Sequence, residues 1–340
     1  MVKALFKSKF SRFLFTGLAV ILVSAGALTG CSGGDGKAPV IFGDASWDSI
    51  QLHSRIAAFI MENGYGYESE FTPGDTIPLF AGLTRGDIDV YMEIWVENQQ
   101  EAYDNAMAEQ SIHDLGGNFL DNWQGWLVPT YMIEGDAARG IQAVAPDLKS
   151  VFDLPQYWEL FKDPENPNKG RFVNGPTGWE ATGINSEKLV EYGLDQYYTD
   201  FPAGSDAALS GSLASAYAQG KPWFGYYWEP TWVLGKYDMT RLEEPAYNET
   251  VWNTTHACAY PPNKVNIGVS IDFAERAPEL VEFLRKYSTT TAQLNDVLAY
   301  MQDNGATIGQ GAEYFLKTFE STWTQWVPSD VAAKVKAALA

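Results

Sequence analysis

Cysteine and histidine are nearly missing from this 340-residue chain, which holds two of the first and three of the second. The histidines, His53, His113 and His256, are scattered, with no metal-ligand spacing and no partner cysteine, so neither a zinc centre nor a Cys/His nucleophile is expected. Also lacking are a GxSxG turn, a P-loop and a GxGxxG that follows a strand, so hydrolase, NTPase and dinucleotide-binding chemistry lose their simplest support. Acidic residues are plentiful, yet nothing marks a catalytic carboxylate pair. The chain therefore reads as a non-enzyme with no metal and no cofactor. Basic residues are the minority, 23 Lys and Arg against 43 Asp and Glu, for a formal net charge of −20. That balance argues against nucleic acid and anionic membrane surfaces as partners.

The one long apolar stretch lies at the start. Residues 1–30 combine a basic beginning (Lys3, Lys7, Lys9, Arg12), an apolar run over 13–28 and a small-residue exit, the pattern of a signal peptide. Its end, Leu28-Thr29-Gly30-Cys31, resembles the bacterial lipobox, which implies that Cys31 is lipidated and becomes the mature N-terminus. An ordinary signal peptide or an uncleaved membrane helix are the alternatives, and the run is short for a bilayer span. Residues 31–37, with Ser32, Gly33, Gly34 and Gly36, read as a flexible tether. Loss of residues 1–30 removes four basic and no acidic residues, taking the formal charge from −20 to −24. With Cys31 used, Cys258 stands alone and no intrachain disulfide is available, so stability must come from the core. The remaining length is ample for one and, at about 100 to 200 residues per domain, implies two lobes.

Residues 39–44 read as a buried strand, followed by a helix with Ile50, Ile56, Phe59 and Ile60 at helical spacing and Ser46 or Asp48 as its N-cap. A second strand over 67–72, a helix opening at Gly74-Asp75 and a third strand over 89–95 complete a βαβαβ order, the signature of a parallel sheet wound with helices. The crossover into a second lobe is placed near residues 130–133. That lobe repeats the pattern: strand 171–174, helix 185–192, strand near 197–200, helix 206–219, strand 223–228. Residues 265–271 read as a strand returning to the first lobe, with helices over 278–287, 291–303, 311–323 and 329–339. Two α/β lobes joined by such crossovers make a hinged clamp whose ligand lies in the cleft between them.

Twelve tryptophans stand out. Trp47 follows the first strand, Trp95 ends the third, Trp179 sits in Asn174-Gly175-Pro176-Thr177-Gly178-Trp179, and Trp228 ends Trp223-Phe224-Gly225-Tyr226-Tyr227-Trp228. In wound sheets ligands gather beyond the carboxyl ends of strands, so all four are expected to face the cleft. Aromatic faces are negative, and several together attract a cation that has no N–H to donate, such as a trimethylammonium group. Core filling is the competing account of any tryptophan. Trp158, Trp252, Trp323 and Trp326 are assigned to packing, whereas Trp123, Trp126, Trp223 and Trp232 stay open.

The stretches AGLTRGDIDVYMEIW, NGPTGWEATGIN, GKPWFGYYWEPTWVLGKYD and LEEPAY together make nearly the whole chain beyond the tether resemble the glycine betaine/proline betaine substrate-binding proteins of ABC importers. The resemblance implies a periplasmic-binding-protein clamp in which three tryptophans, here Trp95, Trp179 and Trp228, enclose a trimethylammonium head. Choline- and trimethylamine-oxide-binding relatives add an aromatic after the first strand, which matches Trp47, and Tyr131 would complete a wall. A ligand carboxylate would be held by the backbone N–H groups of Glu180 and Ala181 in an anion-binding turn. Some members brace that turn with a disulfide, but no cysteine lies between Cys31 and Cys258. Some place a histidine four residues after the first tryptophan, where this chain has Gln99. Choline binders tend to carry an acid two residues after the early tryptophan, where Ser49 stands with Asp48 beside it; Asp48 reads either as a ligand contact or as a helix cap.

The expected molecule is thus an α/β two-lobed clamp, each lobe a mixed, mostly parallel sheet flanked by helices. Residues 38–131 plus 260–340 form lobe 1, and residues 132–259 form lobe 2. It would be an exported, lipid-anchored monomer of the cell envelope that touches the membrane only through its lipid and delivers glycine betaine or a similar solute to an ABC permease and its ATPase. Rival readings are the same clamp for choline, carnitine or trimethylamine oxide, an enzyme acting on a small zwitterion, and a lipoprotein that binds a partner protein.

Overall fold

A computed structural model describes residues 37–340; the expected signal peptide, Cys31 and the expected tether up to Gly36 lie outside the described residues. The strands, in chain order, are β1 (Val40–Ala45), β2 (Ser69–Gly74), β3 (Val90–Trp95), β4 (Ile112–Phe119), β5 (Trp123–Pro129), β6 (Gly170–Asn174), β7 (Tyr198–Pro202), β8 (Gly225–Glu229), β9 (Met239–Arg241) and β10 (Val265–Ser270). They form two five-stranded sheets, β2-β1-β3-β10-β4 and β7-β6-β8-β5-β9. In the first, β1 runs parallel to β2 and β3, and β10 enters antiparallel between β3 and β4. The second repeats this: β6 parallel to β7 and β8, with β5 antiparallel between β8 and β9. Helices cover the sheets, so a central strand such as β3 is buried along its whole length, as parallel strands covered on both faces must be. The two-lobed α/β clamp is therefore the fold.

The crossover lies earlier than the expected residues 130–133. Trp123–Pro129 pairs with β8 and β9, so the chain leaves the first sheet after Phe119 and residues 120–122 carry it across. It comes back just before Val265, and the two crossing segments touch where Asn122 Nδ2 donates to the Asn263 carbonyl at 3.0 Å. Each sheet thus receives its fourth strand from a crossing segment, which ties the lobes at the base of the cleft.

Helix Asp48–Ile60 buries Ile50, Leu52, Ile56 and Ile60 against the first sheet, but neither Ser46 nor Asp48 caps it. Trp47 holds the cap position in an extended conformation without a capping side chain, and Asp48 lies in the first turn, where a negative charge suits the helix dipole. Helix Glu180–Glu191 begins directly after Trp179, upstream of the expected start at Asn185. Asn185 is instead buried inside it, accepting hydrogen bonds from Trp126 Nε1 and Tyr260 OH. The expected helix over 311–323 divides into Ile308–Thr318 and Glu320–Trp323 around Phe319. Helix Thr291–Asn304 also reaches the second lobe: Asn295 Oδ1 accepts from the Thr231 N–H at 3.0 Å, and Asp303 pairs with Lys236 at 2.6 Å.

Candidate ligand-binding site

The cleft between the sheets gathers the four strand-end tryptophans. Trp47 follows β1 by one turn residue, Trp95 closes β3, Trp228 sits near the end of β8, and Trp179 caps helix Glu180–Glu191 after β6. All four line one pocket in the cleft. The Trp179 ring meets Trp228 edge-on with centroids 4.9 Å apart and Trp47 at 5.7 Å, while Tyr226 stacks on Trp228 at 5.8 Å. The lobes touch here, because Trp179 Nε1 donates across the cleft to Ser46 Oγ at 2.9 Å. Each of the four rings is only 5 to 7 % exposed. Water is largely kept from their faces, the condition under which cation–π attraction is strongest.

One wall is polar and neutral. Asn98, Gln124, Thr76 and Tyr226 line the pocket. Asn98 Nδ2 donates to Gln124 Oε1 at 3.2 Å, Gln124 Nε2 donates back to Asn98 Oδ1 at 3.1 Å, and Tyr226 OH donates to Gln124 Oε1 at 2.6 Å. Each amide NH2 keeps one N–H beyond this exchange. Glu180 and Ala181 also line the pocket; their N–H groups belong to a helix first turn, which has no intrahelical acceptor, and the Trp179 cap contributes no side-chain acceptor. Among the described residues no lysine, arginine or histidine lines this pocket.

Three expected contacts fall elsewhere. Gln99 is buried with its Nε2 unpartnered, and the short 3-10 turn Val96–Gln99 presents Asn98 to the pocket instead. Tyr131 lies beyond the far end of β5. That strand runs antiparallel to β8, pairing Trp123 with Glu229 and Leu127 with Gly225, so its end is directed away from Trp228, and Tyr131 OH donates to the Lys221 carbonyl at 2.5 Å. Asp48 lines a separate small cavity on the other side of Trp228, together with Asp206. Burial raises the Asp48 pKa, and burial followed by the Asp48 charge pushes Asp206 up to about 8.

The residue that sequence reasoning missed is Glu93. Its Oε2 accepts from Trp47 Nε1 at 2.7 Å and from Trp95 Nε1 at 3.1 Å. Its side chain is fully out of solvent, and His53 Nε2 lies 3.8 Å from Oε1. Burial raises Glu93 to about 7, opposed by hydrogen bonding from Trp47, Ser49 and Trp95, and burial lowers His53 to about 3. A signal was present: strand alternation puts Tyr91, Glu93 and Trp95 on one face, and an acid inside an otherwise apolar buried strand calls for a partner. The tryptophans left open prove to be buried packing residues or partners of polar groups. Trp126 is in the second core, Trp223 Nε1 donates to Ser212 Oγ, and Trp123 Nε1 donates to Glu229.

Known proteins resemble this architecture. The chain is 22% identical over 314 residues to the trimethylamine N-oxide-binding protein of Pelagibacter ubique (strain HTCC1062), which covers 92% of this chain and 97% of that protein. It is 24% identical over 271 residues to the glycine betaine/proline betaine-binding periplasmic protein of Escherichia coli (strain K12), covering 75% of this chain and 78% of that one. The crystal structure of a glycine betaine/L-proline-binding protein from Borrelia burgdorferi superposes with a TM-score of 0.71 at 18% identity, covering 88% of this chain and all of the other. Residues 38–318 match the family described as the substrate-binding domain of ABC-type glycine betaine transport systems, and the chain belongs to that family.

Proposed function

We propose that this protein captures glycine betaine or a similar trimethylammonium solute between its lobes. Trp47, Trp95, Trp179 and Trp228 cage the cationic head, and an ABC permease with its ATPase takes up the delivered solute. The carrying observation is four nearly buried indoles on one small pocket that no basic side chain lines. An acidic end would meet the Glu180 and Ala181 N–H groups and the spare Asn98 and Gln124 amide hydrogens, a donor set that needs no formal charge. The ligand bridges Trp47 and Trp95 on one side and Trp179 and Trp228 on the other, so its affinity draws the lobes together. We place the protein on the exported face of the membrane as a monomer, anchored through a lipid on Cys31.

A second reading, trimethylamine N-oxide, is favoured by the same neutral wall, because a single oxygen acceptor is satisfied by one or two amide donors. Melting curves and indole fluorescence of the mature protein, titrated separately with glycine betaine, choline, carnitine and trimethylamine N-oxide, decide between them. A true ligand at a hundred times its dissociation constant adds about 2.7 kcal/mol of stability, which raises the melting point by several degrees. A shift with the N-oxide alone selects the second reading, and no shift with any of the four sinks the cage.

A further inference from the structure

Two of the four cage rings depend on one carboxylate that does not itself line the pocket. Trp47 arrives from the turn after β1 and Trp95 from the end of β3, yet both indole N–H groups converge on Glu93 Oε2. A fully buried carboxylate is costly unless a cation pairs with it, and the groups facing Glu93 supply none. From helix Asp48–Ile60 comes His53, held neutral by burial, with its Nδ1 bonded to Tyr287 OH at 2.7 Å; from its own strand comes Tyr91. Oε1 has no hydrogen-bond partner. A negative charge here is met only by neutral donors, the two indoles and Ser49, with no cationic side chain, while the rings it holds face the pocket where a cationic head would sit.

We propose that Glu93 is a positioning residue that locks Trp47 and Trp95 by their N–H edges and, from behind them, supplies the charge that the ligand's cationic head completes. The inference rests on the reading that the cage takes a quaternary ammonium head. Binding a cation then favours the ionised form of Glu93 and releases its proton. With Glu93 raised to about 7, affinity for a cation climbs as pH rises toward that value and levels off above it, and below it falls by up to about tenfold per pH unit. Asp206 titrates in the same range behind Trp228, so the comparison must separate the two.

Tetramethylammonium, a pure cation, and glycine betaine, whose carboxylate is repelled by Glu93, are titrated calorimetrically at pH 5.5 and 8.5 into the wild type, Glu93→Gln and Asp206→Asn. The wild type loses at least about tenfold in tetramethylammonium affinity at the lower pH. Glu93→Gln weakens tetramethylammonium at pH 8.5 by about tenfold or more, weakens betaine less, and has a flatter pH slope. Equal losses for both probes, or an unchanged slope in Glu93→Gln, overturn the proposal. Should Glu93→Gln fail to fold, the slope must persist in Asp206→Asn, and its disappearance there assigns the proton to Asp206 instead. If neither probe binds the wild type, the cage reading falls as well; if both bind with no pH dependence, only the role of Glu93 falls.

Discussion

Each lobe buries a carboxylate beside tryptophan, and the two are handled in opposite ways. In the second lobe Glu244 lies 2.5 Å from the ammonium of Lys188, and both side chains are almost wholly out of water. Lys188 Nζ sits 4.3 Å from the centre of the Tyr260 ring and 5.6 Å from Trp126, so that lobe closes its own cation among its own aromatics. In the first lobe Glu93 has two indole donors, the Ser49 hydroxyl and a neutral histidine, but no cation, and the aromatics it orients open onto the cleft. One site pairs its charges within the fold; the other holds its carboxylate without a cationic side chain, and on the proposed reading the ligand's head supplies that cation. Burial alone does not mark a binding residue; the proposal for Glu93 rests on burial without a countercharge beside the pocket-lining rings.

Breaking the structural pair gives the largest expected effect. Lys188→Met leaves Glu244 buried without its cation, a change that typically costs about 3 to 5 kcal/mol. Calorimetric melting of the ligand-free protein should fall by roughly 10 °C, and adding Glu244→Gln should recover part of it. A melting point within a degree or two of the wild type would erase the distinction drawn between the lobes.

The pH dependence of stability tests the other side. Glu93 has a folded pKa near 7 against an ordinary value of 4.5, so the folded state holds this proton more tightly than the unfolded one. Its favourable contribution is complete below about pH 4.5 and is lost as pH rises to about 7, a change on the order of 3 kcal/mol. Relative to Glu93→Gln, the ligand-free wild type should therefore lose several degrees of melting temperature between pH 5 and 8. Parallel curves for the two proteins would show that Glu93 carries no buried charge.

Much of this was legible in the sequence where local pattern and tertiary role coincide. Apolar runs that end in tryptophan, such as Asp89-Val90-Tyr91-Met92-Glu93-Ile94-Trp95, announce both a buried strand and a ring at its carboxyl end, and the pocket gathers all four such rings. The strand β4 was not legible, since Gly116 and Gly117 interrupt its alternation; Gly116 takes a φ of +99° and the pairing with β10 shifts register nearby. The membership of β5 in the second sheet was hidden for another reason: an apolar strand is equally at home in either sheet, and only its partners decide. Asn98 was missed because a turn chooses which of two adjacent amides faces inward.

The smallest effect tests whether the two halves of the site meet as described. A Cβ on Gly178 of the second lobe would come 2.1 Å from the Asp75 carboxyl carbon of the first, a contact that exists only when the lobes are together. Asp75 is exposed and can rotate aside, so Gly178→Ala should cost the ligand-bound form only about 1 kcal/mol, about fivefold in Kd for glycine betaine. The melting point without ligand should move less than the affinity. Asp75→Ala removes the obstructing carboxyl, and in that background Gly178→Ala should have little further effect, giving a coupling energy close to the whole single-mutant loss. A fivefold loss that persists without the Asp75 side chain would instead place the cost in the Gly178 backbone, and the contact between lobes would no longer explain why glycine precedes Trp179.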